Sequence, residues 1–161
     1  MSNEHVTLKF IPDAMKTSII KVFRYENQQV QGSFFNLYYG EEIKFDNLMQ
    51  LLLIMENMMD EIRYPAPAVE SRLIYKKRGF SHEALSYDLL PGADGKHEVL
   101  ETFRIRVLYR QNASWQGTIS WKTAGQTYHF RSALELFKMM DNVLSEYTEL
   151  SKIQEMNRMP G

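Results

Sequence analysis

Apolar and polar positions along the chain follow two different periods, and the chain runs through both of them twice. Ser18-Ile19-Ile20-Lys21-Val22-Phe23-Arg24-Tyr25 is rich in β-branched and aromatic residues, Glu26-Asn27-Gln28-Gln29 is polar, and Val30 to Leu37 returns to strand composition. Strand, polar turn and strand predict a hairpin. Tyr39-Gly40 turns the chain again, and Glu42-Ile43-Lys44-Phe45 predicts a short third strand. The period then lengthens: Leu48, Leu51, Leu52, Met55, Met58, Met59 and Ile62 recur as one face of a helix. Pro65-Ala66-Pro67-Ala68 ends the unit, since proline continues neither a helix nor a central strand.

Residues 17–62 and 102–147 align at an offset of 85 without a gap. They are identical at twelve of forty-six positions, among them Gly32/Gly117, Gly40/Gly125, Phe45/Phe130, Leu51/Leu136 and Met55/Met140. Unrelated stretches of ordinary composition would share roughly three. Fixed-offset self-similarity marks a repeated structural unit. Both helix starts carry capping-box chemistry, Asn47-x-x-Gln50 and Ser132-x-x-Glu135. The second helical face is Ala133, Leu136, Phe137, Met140, Val143, Leu144 and Tyr147.

Outside the repeats, Val6 to Ile11 predicts an edge strand. The linker 63–101 is too long for bare loop and is expected to hold one or two extra strands, including Arg72 to Tyr75 and a hairpin about 91–95. The tail 148–161 is polar and is expected to be flexible, with at most a brief extension of the helix. Amphipathic helices beside antiparallel strands must bury their stripes there. The prediction is one α+β domain over 1–161: a two-layer fold, antiparallel sheet with two amphipathic helices on one face, β-β-β-α twice with pseudo-twofold symmetry.

Composition adds limits more than leads. Apolar residues at 44% and charged residues at 24% fit a globular chain. The net charge of −1 supplies no global field for nucleic acid or an anionic membrane. With no cysteine there is no disulfide, thiolate metal site or cysteine nucleophile. The N-terminus shows no secretory signal pattern and Leu51 to Met55 is too short an apolar run to span a bilayer. A soluble cytoplasmic protein is expected. Ten methionines, most of them in the helical segments, suit an adaptable core.

Candidate chemistry is sparse. His5, His82, His97 and His129 show no ligand spacing, and no GxSxG, HExxH or phosphate-loop pattern occurs. Glu56 and Asp60 read as solvated surface. No enzyme activity, cofactor or metal is expected. Strand alternation places Arg104 and Arg106 opposite Phe103, Ile105, Val107 and Tyr109, with Arg110 at the turn. Cations near Trp115 are the kind of footprint that binds single-stranded nucleic acid.

Asn112-Ala113-Ser114-Trp115-Gln116-Gly117 resembles the NxSxxG half of the PilZ cyclic-di-nucleotide receptor pattern. Such receptors pair it with an RxxxR some twenty or more residues upstream. Arg106-x-x-x-Arg110 lies too close for that role, and Arg72-x-x-x-Lys76 lies too far and ends in lysine. The Arg-rich strand and this turn together make Arg104, Arg106, Arg110, Asn112, Ser114 and Trp115 the candidate anion or nucleic-acid contacts. The NASWQGT and FRSALEL stretches are also similar to segments of small uncharacterised bacterial proteins, which implies a bacterial family and carries over no activity.

One helical position breaks the repeat: Met49 and Leu53 form a second apolar flank, and the copy of Leu53 is Lys138. Either the linker covers this flank or it is a contact site. The expectation is a non-catalytic protein-interaction or scaffold module whose partner is another protein or a second copy, as a homodimer. Nucleic-acid or cyclic-nucleotide binding through the Arg-rich strand is the alternative.

Overall fold

The computed structural model describes residues 11–66, 98–111 and 114–159. The predicted strands at Val6 to Ile11 (Ile11 itself excepted), Arg72 to Tyr75 and about 91–95 lie outside the described residues. After a 3-10 turn, Asp13–Lys16, the elements run β1 (Ser18–Glu26), β2 (Gln29–Phe35), β3 (Glu42–Phe45), α1 (Leu48–Ile62), β4 (Glu101–Tyr109), β5 (Gln116–Trp121), β6 (Tyr128–Phe130) and α2 (Ala133–Arg158). The strands form one antiparallel sheet in the order β3-β2-β1-β4-β5-β6. This is the α+β architecture that the repeat predicts.

The register shows how closely the halves correspond. Val22 pairs with Gly32 and Val107 with Gly117; Gly32 pairs with Phe45 and Gly117 with Phe130. In the joining pair β1·β4, Ile19 faces Arg104, its own equivalent, and Ser18↔Ile105 mirrors Ile20↔Phe103. The pseudo-twofold axis therefore passes between Ile19 and Arg104. Even the irregularity repeats, with a register shift after Val22 in β1 and after Val107 in β4.

Shared residues mark shared constraints. A Cβ on Gly32 would run into the Lys21 carbonyl oxygen, and one on Gly117 into that of Arg106; each would also press on the ring of Phe45 or Phe130. Asn27 and Gln28, both at positive φ, make the tight β1–β2 turn. The Gln50 amide donates to Asn47 Oδ1 (2.9 Å) and the Glu135 amide to Ser132 Oγ (3.0 Å), so both predicted caps form. Gln50 returns its side chain to the Asp46 amide, one residue before the cap.

One core lies between sheet and helices. Ile20, Val22, Phe34, Phe103, Ile105, Ile119 and both Phe45 and Phe130 meet Leu51, Ile54, Met55, Met59, Leu136, Met140 and Leu144, all buried. The core methionines are those on the predicted helix faces. Past Tyr147 the chain departs from expectation: in place of a flexible tail, α2 continues to Arg158. Glu149 to Met159 are exposed throughout, with Leu150, Ile153 and Met156 bare.

Candidate functional site

The predicted protein contact sits on the outer flank of α1. Leu51, Met55 and Met58 turn the helix towards the sheet, which leaves Met49 and Leu53, one turn apart, facing away. Met49 is 63% exposed and Leu53 40% exposed. At the equivalent positions α2 carries Leu134, also exposed, and Lys138.

The predicted anion site comes apart. Simple alternation fails at Leu108, the extra residue of the β4 register shift, where Val107 pairs with Gly117 but Tyr109 with Gln116. A bulge of this kind reverses the direction in which the next residues face. Tyr109, expected on the face of Phe103, Ile105 and Val107, is exposed, and Arg110 turns inward and is 3% exposed. Arg110 Nε donates to the Pro65 carbonyl (2.6 Å), while Nη1 meets Asp60 (2.7 Å) and Glu56 (3.2 Å). Trp115 is buried, its indole N–H donating to Glu56 (2.7 Å). Arg110 and Trp115 therefore hold α1 to the sheet and present nothing to a ligand. Glu56 and Asp60, expected as solvated surface, are their partners. Ser114 is also engaged, its Oγ accepting from the Ala133 amide at the start of α2 (3.3 Å). Asn112 lies outside the described residues, as do Arg72 and Lys76.

This tie has a counterpart that sequence reasoning missed. Residues 25, 56 and 60 occupy, in the first repeat, the places of 110, 141 and 145 in the second. Tyr25 donates to Asp141 and lies 3.0 Å from Ser145. Each half thus reaches across the joint to the other half's helix, once as arginine with two carboxylates and once as tyrosine with a carboxylate and a hydroxyl. Burial, reinforced by Asp141, pushes the Tyr25 phenol above its ordinary pKa. The aligned triplets were the available signal, but nothing local in the sequence says that they meet across the joint.

A buried acid closes the other end of the second half. Glu101 is buried and accepts from the Thr102 amide (3.0 Å), the Lys122 amide (3.2 Å) and the Tyr147 hydroxyl (2.5 Å). The hydrogen bond to Glu101 raises the Tyr147 pKa.

The outer face of the sheet, away from the helices, carries the remaining candidates. Arg106 is half-buried and bonds Asp13 (2.6 Å), leaving its Nε without a partner. Lys21 pairs with Glu42 (2.5 Å). Arg104 is exposed and has no ion-pair partner among the described residues. It borders an open depression of about 430 Å³ lined by Thr102, Arg104, Ser120, Trp121 and Lys122. The gap beneath α1, lined by Met55, Met59, Ile62 and Val107, measures about 10 Å³, room for no more than a water.

Among the described residues no group of three or more His, Asp or Glu side chains is placed to hold a metal ion, and no helix is long and apolar enough to cross a membrane. No protein-family model, curated protein or solved structure matches the chain.

Proposed function

We propose that the protein is a non-catalytic interaction module that binds another protein through the outer surface of its helical layer. The observation that carries this reading is the Met49–Leu53 flank. In a fold whose halves agree in register, caps and core, one helix presents leucine to solvent where the other presents lysine. Lysine at that position is compatible with the scaffold, so the exposed leucine is not required for folding. Exposed apolar side chains grouped on one helix flank are what a protein contact uses. The bare end of α2 carries three further exposed apolar side chains, Leu150, Ile153 and Met156.

The test is Leu53→Lys, which installs the residue that the second helix already carries. Cross-linking and affinity capture from the native cell are compared for wild type and variant, with light scattering to detect self-association. The reading expects a captured protein, or a dimer, that the variant loses while its circular dichroism is unchanged. An identical set of captured proteins and an identical mass for both chains overturn it.

A further inference from the structure

We propose that the outer face of the sheet binds a small amphiphilic anion, a phosphate monoester or similar oxyanion attached to an apolar or aromatic body. The site is distinct from the Met49–Leu53 flank and does not depend on it.

The head-group end is built by β4 and β5. Arg104 lies directly opposite Ser120, and Phe103 opposite Trp121. Side chains directly opposite in an antiparallel pair are about 5 Å apart. Thr102 precedes these residues in β4, Lys122 is the first residue past β5, and both line the same 430 Å³ depression as Arg104 and Ser120. Two cations and two hydroxyls around one depression suit an oxyanion, the cations supplying charge and the hydroxyls donating hydrogen bonds. Neighbouring cations on this face are already matched, Arg106 by Asp13 and Lys21 by Glu42. Arg104 and Lys122 have no such match among the described residues.

The apolar end is set by the pseudo-twofold axis. The equivalents of Arg104 and Ser120 are Ile19 and Phe35, which pair with each other in β1 and β2. Because Ile19 also faces Arg104 across the joint, one row of the outer face reads Phe35, Ile19, Arg104, Ser120. With strands about 4.8 Å apart, that row spans roughly 14 Å. Ile19 and Phe35 are both half-buried, leaving part of each side chain open to solvent. The repeat acts as an internal control, because the same backbone carries apolar residues on one side of the axis and a cation with a hydroxyl on the other. The scaffold demands neither, and their meeting at the axis makes a surface with one apolar and one anion-receiving half.

Calorimetric titration of the full chain with inorganic phosphate, phenyl phosphate and a short single-stranded oligonucleotide tests the proposal. Phenyl phosphate is expected to bind at least tenfold tighter than inorganic phosphate. Arg104→Gln is expected to weaken phenyl phosphate tenfold or more, and Lys122→Gln severalfold. Phe35→Thr is expected to erase the preference for phenyl phosphate over inorganic phosphate, while Arg131→Gln, a charge control on an exposed turn, changes nothing. Circular dichroism confirms that each variant folds. Absence of phenyl phosphate binding at millimolar concentration overturns the proposal, as does equal affinity for the two phosphates. Tighter binding of the oligonucleotide overturns it in favour of a polyanion surface, and equal losses in Arg104→Gln and Arg131→Gln overturn it as unspecific charge attraction.

Discussion

Replacing Arg110 by alanine removes the tie between the end of β4 and the last turns of α1. Its guanidinium holds two backbone carbonyls, Pro65 (2.6 Å) and Met59 (3.4 Å), and two carboxylates, Asp60 and Glu56. Hydrogen bonds to a charged group contribute about 1.5–3 kcal/mol each when buried. The carboxylates are partly open to water, so their share is discounted to about 1 kcal/mol together. The short bond to Pro65 and the lost packing of the side-chain stem add about 2–3 kcal/mol, the Met59 contact at 3.4 Å being too long to add much. The sum is about 3–4 kcal/mol, which for a chain of this size lowers Tm by about 10 °C. Tyr25→Phe removes only a hydroxyl between Asp141 and Ser145 and is expected to cost about 1 kcal/mol. Arg110→Lys should recover little, because an ammonium cannot serve donors spread over a planar fork. Urea denaturation followed by circular dichroism measures all three, with fluorescence of the neighbouring Trp115 as a local probe. If Arg110→Ala cost no more than Tyr25→Phe, the inward turn of Arg110 at the bulge would be wrong.

Gly117→Ala is expected to abolish stable folding or to cost more than about 3 kcal/mol, because the new Cβ meets a backbone carbonyl that has no room to retreat. Gly125→Ala, with open space around it and φ of +65°, should cost only about 1 kcal/mol; thermal melts separate the two. Burial pushes the Tyr39 phenol up to about 12. Its folded pKa lies above the unfolded value of about 10, so its contribution is complete below pH 10 and is lost as pH rises towards 12. The fall in stability over that window should be smaller in Tyr39→Phe, as read by denaturation at stepped pH.

The parts of the fold legible in the sequence are those written in local chemistry. Hairpin strands, helix faces and both caps depend on residues within a few positions of each other, and Asn47 with Gln50 and Ser132 with Glu135 announce the helix starts before any packing is known. The repeat made each reading twice. The end of α2 was missed for the opposite reason: beyond Tyr147 the buried stripe stops, although Glu, Leu, Lys, Gln and Met there are good helix formers whose intrinsic preference could have signalled the continuation.

The candidate site was less legible. Met49 and Leu53 follow from helical spacing, and their exposure agrees with it. Arg110 reads as a turn residue and Trp115 as its aromatic neighbour at a ligand surface; the extra residue at Leu108 instead turns Arg110 inward, and Trp115 is buried with its indole on Glu56. Glu56 and Asp60 looked solvated because their partner comes from the other half, 54 and 50 positions away in sequence.

The sequence by itself determined the unit, a three-stranded meander leading into a capped amphipathic helix, and that it occurs twice. Only the tertiary structure decided how the copies join. Pairing β1 with β4 sets Ile19 against Arg104, places an apolar pair in line with a cation and a hydroxyl, and sends Arg110 and Tyr25 across to the opposite helices. Those contacts link residues far apart in the chain. Their partners are selected by which strand edges and helix flanks remain to be covered once each half has formed.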